Sequence, residues 1–310
     1  MRTVAITGLS LAAALLGAGF LSGRVARRAE EDVPMDGRLV EAGGTRLHVT
    51  EQGKGRPLLL IHGLSAQLRS FAQPMVDDLA KDYRVIRIDR PGSGYSPALP
   101  GGSQHLADQA EAVTALIDEL GLEKPVLVGH SLGGALALQL ALLHPEKVGA
   151  LALIAPATQP VEVVPDVFRG LLVPLPLARL VSRTIAVPLG LATRDAVLRQ
   201  VFAPEPVPAD FATVGGGALA LRPCNIEAAA ADLQLAQKDA GEMVGRLGDI
   251  GLPVAILYGR QDNILDYRLH GEKTASTIPG ARLTLVEGGH MLPFTQPLQT
   301  AAWVRSVLAG

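Results

Sequence analysis

The sequence predicts an α/β fold in which helices flank a mostly parallel central sheet, and three observations carry this prediction. From about Asp36 onward, short apolar segments alternate with amphipathic ones. Most of the later apolar segments are continuous, which is typical of strands buried on both faces of a parallel sheet. Strand and helix then follow each other in turn, as in right-handed crossover connections.

The individual elements follow from the same pattern. Strands are predicted at Thr45–Thr50, Pro57–Ile61, Tyr83–Asp89, Pro125–Val128, Ala150–Ile154, Pro253–Tyr258 and Ala281–Val286. Helices are predicted between them, at Phe71–Lys81, His105–Leu120, Leu132–His144, Tyr267–Thr277 and Thr295–Leu308. The alternation stops between about 158 and 250, where the chain is rich in Leu, Val, Ala and Pro. We expect this stretch to be a helical lid over the carboxyl edge of the sheet.

The N-terminus is expected to lie outside the fold. Thr3 to Gly23 is an almost unbroken apolar run with arginines on both sides, and roughly 20 apolar residues can span a bilayer as a helix. Residues 1–34 are therefore predicted to be an uncleaved membrane anchor, with a cleaved export signal as the alternative, and residues 35–310 to be the folded domain. A charged, flexible linker is expected at Glu30–Gly37. The sequence does not decide which side of the membrane holds the folded domain. The arginines after the apolar run favour the cytoplasmic side, whereas the resemblance to an export signal favours the opposite side.

Composition excludes several classes of function. The formal net charge of −2 lacks the basic excess usual in nucleic-acid-binding proteins. The single cysteine, Cys224, cannot form an internal disulfide and argues against cysteine-based zinc sites. No cluster of His and acidic residues suggests a metal, so no metal or cofactor is expected. The oligomeric state is not predicted.

One motif carries the chemistry. Gly129-His130-Ser131-Leu132-Gly133 matches the G-x-S-x-G nucleophile elbow, in which a sharp strand-to-helix turn exposes the serine hydroxyl. A predicted strand runs directly into the motif and a predicted helix leaves it. Ser131 is therefore the candidate nucleophile.

With this motif, the chain resembles the α/β-hydrolase superfamily, and the resemblance covers nearly all of residues 36–310. In that family the acid and then the histidine follow the nucleophile, and the resemblance implies Asp262 and His290 for these roles, with Asp266 the nearest rival for the acid. Both predicted residues come just after a strand, where open α/β sheets place functional groups. His290 would take the serine proton, and Asp262 would orient the imidazole and stabilise its charged form.

The resemblance also implies an oxyanion hole made of two backbone N–H groups. One is assigned to Leu132, the residue after the nucleophile. The other is assigned to Leu64 in the loop His62-Gly63-Leu64-Ser65, with His62 itself given a structural role. Asp89-Arg90-Pro91-Gly92-Ser93-Gly94-Tyr95-Ser96 is similar to another loop of the family and is not assigned to catalysis.

A serine nucleophile indicates acyl chemistry, whereas the dehalogenases and epoxide hydrolases of this fold carry aspartate. The predicted function is hydrolysis of carboxylic esters with apolar acyl or alcohol groups, through an acyl-enzyme on Ser131. C–C bond hydrolases, lactonases and cofactor-free haloperoxidases share the triad and remain alternatives, as does a non-enzymatic small-molecule receptor. The loop at His62–Ala66 lacks the Gly-Pro-Gly pattern typical of the C–C hydrolases.

Overall fold

The computed structural model describes residues 2–161 and 163–308, with side chains from Leu15 onward. The strands are β1 (Arg38–Ala42), β2 (Thr45–Gln52), β3 (Arg56–Ile61), β4 (Tyr83–Ile88), β5 (Val126–His130), β6 (Ala150–Ile154), β7 (Val254–Gly259) and β8 (Arg282–Val286). The α-helices are α1 (Arg2–Asp32), α2 (Gln73–Leu79), α3 (Leu106–Glu119), α4 (Leu132–Leu143), α5 (Leu175–Val181), α6 (Val187–Phe202), α7 (Pro223–Val244), α8 (Lys273–Thr277), α9 (Leu292–Thr295) and α10 (Pro297–Leu308).

The strands form one sheet in the order β1-β2-β4-β3-β5-β6-β7-β8. Strand β2 pairs antiparallel with β1 and with β4. All other neighbouring strands in this order, from β4 through β3 to β8, pair in parallel. The α/β fold with a mostly parallel sheet is thus confirmed, and each predicted strand agrees with an observed one to within two residues at either end. Strand β1 was not predicted, because its five residues are only partly apolar and pair at the sheet edge.

Two hydrophobic clusters cover the two faces of the sheet. The larger holds the inner faces of α3 and α4, and the smaller holds those of α2 and α10. Central strands β5 and β6 are buried at every residue, as their continuous apolar sequences require. A rigid sheet of this kind holds the loops at the carboxyl ends of its strands in fixed positions.

We call residues 155–253, between β6 and β7, the cap. The cap contains α5, a π-helical turn at Ser182–Ala186, α6 and α7, in agreement with the helical character predicted for 158–250. Its residues line one cavity together with Ser131 and His290. The cap therefore faces the carboxyl ends of the strands.

The N-terminal segment departs from the prediction. Instead of a flexible linker at Glu30–Gly37, helix α1 continues to Asp32, and Ala29 and Val33 are 3% and 1% exposed. These two residues lie one helical turn apart and pack against Leu219 of the cap. The last turn of α1 and the residues after it belong to the fold, so the boundary at residue 34 does not separate packed from unpacked chain.

Candidate active site

Ser131 occupies the turn between β5 and α4 with φ 54° and ψ −120°, a conformation that non-glycine residues rarely adopt. Three backbone hydrogen bonds hold it there. Its N–H donates to Ile154, and its carbonyl accepts from Gly134 and Ala157 at 2.9 and 3.0 Å. Strain of this kind persists only where the surroundings over-determine the geometry. The turn lifts the Ser131 side chain towards the cavity.

The two outer glycines of the motif are required by close backbone approach. A Cβ at Gly129 would lie 2.6 Å from the carbonyl oxygen of Gly133, and one at Gly133 would lie 2.1 Å from that of Ile61. Both distances are far below a van der Waals contact. These glycines let β5, α4 and β3 pack closely enough to bring Ser131 beside the loop that follows β3.

His290 and Asp262 meet after β8 and β7. The Nδ1 of His290 lies 2.8 Å from Oδ2 of Asp262, and the two side chains are 6% and 0% exposed. The other oxygen of Asp262 accepts hydrogen bonds from the backbone of Ile264 and Leu265. Burial alone would raise the pKa of Asp262, but the charge and hydrogen bond of His290 and these two amides hold it below its usual value. Asp262 is therefore an anion that orients the ring.

The rival acid lies elsewhere. The side chain of Asp266 is 58% exposed and accepts a hydrogen bond from the backbone of Arg268. In the part of the chain that the structure describes, the ring of His290 hydrogen-bonds Asp262, and it forms no such bond to Asp266 or to Ser131. Ser131 and His290 nevertheless line the same cavity, and hydrogen bonds of this kind often tighten only when substrate is bound.

His130 supports the loop that carries His290. Its Nε2 lies 3.0 Å from the carbonyl oxygen of His290, and the two rings lie 4.9 Å apart. Burial, together with repulsion from His290, lowers the pKa of His130 to about 3. The ring is therefore neutral at ordinary pH and donates from Nε2 to that carbonyl. His130 therefore makes a specific contact with the backbone of His290.

The loop after β3 reaches the nucleophile. A Cβ on Gly63 would lie 2.9 Å from the Cβ of Ser131, so Leu64 follows directly on the point of closest approach. The Nε2 of His62 accepts a hydrogen bond from the N–H of Arg90, which leaves its proton on Nδ1, 2.8 Å from the oxygen of Gly63. Burial and the charge of Arg90 lower the pKa of His62 to about 3. His62 is thus a neutral ring that braces this loop.

Leu132, the other predicted donor, is the first residue of α4. The first N–H groups of a helix have no partner within that helix, and they lie at its positive end. Leu64, in the loop after β3, and Leu132, in α4, line the same cavity as Ser131. This arrangement suits the stabilisation of a negative oxygen next to the nucleophile.

The cavity that these groups share has a volume of about 590 Å³. Its walls are mainly apolar side chains of the cap, among them Phe168, Leu171, Val201 and Phe211. The only Lys or Arg among its described lining residues is Arg194, which is half-exposed and paired with Asp195. Among residues 2–161 and 163–308, no group of three His, Cys, Asp or Glu side chains is arranged to hold a metal ion.

Sequence reasoning missed one buried polar group next to the site. Arg90 and Asp232 form an ion pair at 2.8 Å with both side chains at most 1% exposed. Because the two residues are 142 positions apart in the sequence, no local pattern indicates that they pair. Arg90 belongs to the Asp89–Ser96 segment, which was not assigned to catalysis. A buried arginine requires a partner somewhere in the chain.

Comparison with known proteins agrees with this architecture. Residues 56–191 match a family model described as alpha/beta hydrolase fold. The chain is 37% identical over 132 residues to a 2-hydroxymuconate semialdehyde hydrolase of Pseudomonas sp. (strain CF600), which covers 42% of this chain and about half (46%) of that protein. It is 28% identical to a 2-hydroxy-6-oxo-6-phenylhexa-2,4-dienoate hydrolase of Burkholderia cepacia, over 77% of this chain and 82% of that protein.

Among solved structures, a thermophilic esterase from Thermogutta terrifontis superposes with a TM-score of 0.71. The match covers 88% of this chain and 98% of the esterase at 23% sequence identity. At that identity the likeness concerns the fold alone.

Proposed function

The chain is an α/β-hydrolase-fold protein, and we propose that it hydrolyses carboxylic esters with apolar acyl or alcohol groups through an acyl-enzyme on Ser131. Oγ of Ser131 attacks the ester carbonyl while His290 takes its proton. Asp262 stabilises the resulting imidazolium, and the N–H groups of Leu64 and Leu132 stabilise the oxyanion. His290 returns the proton to the leaving alcohol. Water activated by His290 then cleaves the acyl-enzyme and frees Ser131.

The observation that carries the ester assignment is the apolar cavity in front of Ser131. A carboxylate taken out of water needs a cation or several donors. The described lining offers one half-exposed cation, Arg194, and a few uncharged polar side chains such as Gln200 and Gln237, spread among many apolar ones. A dienoate, the substrate class in the name of the Burkholderia cepacia relative, carries such a carboxylate. A neutral ester places only its carbonyl among polar groups and leaves the remainder in contact with apolar walls.

The test is turnover of p-nitrophenyl esters from acetate to long acyl chains by the full chain in detergent, with Ser131→Ala as background. We expect Ser131-dependent turnover with an optimum above acetate, because the walls of the cavity are apolar. A 2-hydroxy-6-oxo-dienoate assayed in parallel examines the second candidate, C–C bond hydrolysis, which the names of the two relatives support. Turnover of the dienoate with none of any ester would replace the ester proposal by that candidate.

We also propose that the chain is anchored in a membrane by the apolar part of α1, with the cap lying against the lipid. Leu16 and Phe20 of α1 are 76% and 66% exposed, and Gly19 approaches the backbone of Arg183 in the cap. The cap adds large exposed apolar side chains of its own: Leu175, Leu177, Leu180, Ile185, Leu189 and Leu191. Within the residues searched, the helical stretch Leu175–Phe202 is long and apolar enough to cross a bilayer, and 22% of its apolar 18-residue window is buried.

Arginines are neighbours in the sequence of these apolar side chains, as expected for a surface that meets anionic headgroups. Arg24, Arg27 and Arg28 follow the apolar run of α1, and Arg179 and Arg183 lie among the exposed leucines of the cap. A surface that combines exposed apolar side chains with arginines suits the boundary between acyl chains and headgroups.

Membrane association is tested on two levels. Carbonate washing of membranes from cells that express the full chain should leave it in the pellet, whereas a variant lacking residues 2–23 should be released. Flotation of that shortened variant with anionic vesicles then reports on the cap. We expect Leu177→Ser with Leu180→Ser to weaken flotation, and the control Leu298→Ser, an equally exposed leucine on α10, to leave it unchanged. Equal loss for all variants, or release of the full chain by carbonate, would overturn the proposal.

A further inference from the structure

The buried ion pair Arg90–Asp232 connects the cap to the loop that follows β3. Asp232 lies on α7 of the cap, and its carboxylate receives both terminal nitrogens of Arg90, at 3.3 and 2.8 Å. Gln109 of α3 completes the group, because its oxygen accepts from Arg90 and its amide donates to Asp232. The group is closed, with charge balanced and donors matched by acceptors.

The same guanidinium also holds the backbone of the loop His62-Gly63-Leu64-Ser65 after β3, which we call the oxyanion loop. Nε of Arg90 donates to the carbonyl of His62 at 3.0 Å, and a terminal nitrogen donates to that of Gly63 at 3.2 Å. The Arg90 side chain thus donates five hydrogen bonds, two of them to consecutive carbonyls beside the nucleophile. A buried ion pair is weak evidence for stability, since apolar residues of similar size often serve as well. Its arrangement therefore calls for another role.

Peptide geometry indicates that role. The carbonyl of Gly63 and the N–H of Leu64 belong to one planar trans peptide, so they point in opposite directions. Holding the carbonyl on the side of Arg90 turns the N–H of Leu64 to the other side. Gly63 is in close contact with Ser131, and Leu64 and Ser131 line the same cavity. The direction of this N–H is thereby set by Arg90 together with His62, which donates to the same oxygen.

We propose that Asp232 is a positioning residue for the oxyanion hole: by fixing Arg90, the cap helix α7 sets the direction of the Leu64 N–H. This inference rests on the proposed serine-hydrolase chemistry. Its consequence is that the seating of the cap contributes to the rate of attack on the substrate, in addition to shaping the pocket. Loss of the carboxylate leaves Arg90 with a buried charge that draws the guanidinium towards water and away from the two carbonyls.

The chain supplies a matched control for this role. Asp239 lies seven residues further along α7 and also connects the cap to the core, by hydrogen bonds to His105 and to the backbone of Leu106 at 2.8 and 2.7 Å. It touches neither Arg90 nor the oxyanion loop. Asp232→Asn and Asp239→Asn both loosen α7, but only the first disturbs Arg90.

The experiment measures kcat and KM for an ester, and the rate at which a fluorophosphonate labels Ser131. Labelling passes through a negative phosphoryl oxygen, so it reports on the oxyanion hole even if the natural substrate is another compound. Removal of a whole oxyanion donor costs about 10²–10³ in kcat. We expect Asp232→Asn to lower kcat and the labelling rate about 10- to 100-fold with KM nearly unchanged, and Asp239→Asn to change them less than about 3-fold.

A second variant separates positioning from folding. Arg90→Met combined with Asp232→Leu removes both charges and fills the space with apolar atoms, so it is expected to melt at or above the temperature of Asp232→Asn. Its labelling rate should stay low, because the carbonyls of His62 and Gly63 have lost their donor. Recovery of the rate in this double variant, or equal losses in Asp232→Asn and Asp239→Asn, would overturn the proposal. A wild-type chain that labels normally but cleaves no ester would refute the proposed substrate class alone.

Discussion

Helix α4 and the pair α5–α6 are both rich in leucine and have opposite surroundings. Nine of the twelve residues of α4 are buried, between the sheet on one side and α3 on the other. In α5 and α6, by contrast, Leu177, Leu180 and Leu189 are each at least half exposed. A helix that is apolar all round is usually enclosed by protein or by lipid. Other parts of the fold cover α4, and we propose that lipid covers the exposed leucines of the cap.

The same contrast extends to polar groups. The seven histidines all lie outside the cap, and Ser131, Asp262 and His290 sit where strands of the sheet end. The cap contributes apolar walls and, through Asp232, one buried charge. Substitutions in the core are therefore expected to change the chemistry, whereas substitutions on the outer surface of the cap are expected to change where the protein resides.

The largest expected effect is at the nucleophile. Ser131→Ala should lower ester turnover by about 10⁴-fold or more, as for removal of other triad nucleophiles. Ser131→Gly should be equally inactive yet more stable than Ser131→Ala, because glycine adopts φ 54° without strain. Steady-state kinetics and thermal melting check both parts. Turnover near the wild-type rate in either variant would remove Ser131 from its role.

Next in size is the contrast between two neighbouring acids. Asp262→Asn should lower kcat by about 10⁴-fold, since the amide favours the wrong tautomer of the histidine. Asp266→Asn, at an exposed carboxylate, should change kcat less than about 2-fold. Equal losses in the two variants would show that the buried geometry around Asp262 does not decide which acid acts.

Much of the core could be predicted because its signals are local. Continuous apolar runs mark β5 and β6, and Gly129 and Gly133 mark a turn that only glycine allows. The cap and the N-terminus carried weaker signals. Periodicity shows that α5 and α6 are helical but not which of their leucines are covered. Contacts such as Arg90–Asp232 depend on how distant segments pack, and pattern in one sequence does not report them.

Truncation at the N-terminus tests where the fold begins. Removing residues 2–23 should lower the melting temperature less than removing residues 2–34, because the longer truncation also removes the buried Val33 and its carbonyl, which accepts a hydrogen bond from Tyr95. Burial of one valine is worth about 1.5–3 kcal/mol. In a domain of this size the longer truncation should lower the melting temperature by about 5 °C. Equal melting of the two variants would restore the boundary at residue 34.

The smallest expected effect concerns acid. Burial lowers the pKa of His62 and of His130 to about 3, and that of His270 to about 4. Below pH 6.5 these histidines bind protons in the unfolded chain but not in the folded one. Each buried ring therefore lowers the free energy of unfolding by about 1.4 kcal/mol per pH unit. At pH 5 a single ring costs about 2 kcal/mol, and His130→Gln should flatten the fall in unfolding free energy between pH 7 and 5 by that amount.

His48 has the opposite sign and provides the control. Burial lowers its pKa, but the hydrogen bond and charge of Asp89 and contacts with Asp36 outweigh burial and raise it above its usual value. Its contribution to stability is therefore complete below pH 6.5 and is lost as the pH rises through the raised pKa. Replacing it, in His48→Gln, should remove a gain in unfolding free energy as the pH falls towards 6.5 and leave the slope below pH 6.5 unchanged, whereas His130→Gln flattens the slope below pH 6.5. Denaturant titrations at several pH values check both, and parallel slopes in the two variants would mean that these buried rings do not set the acid sensitivity of the core.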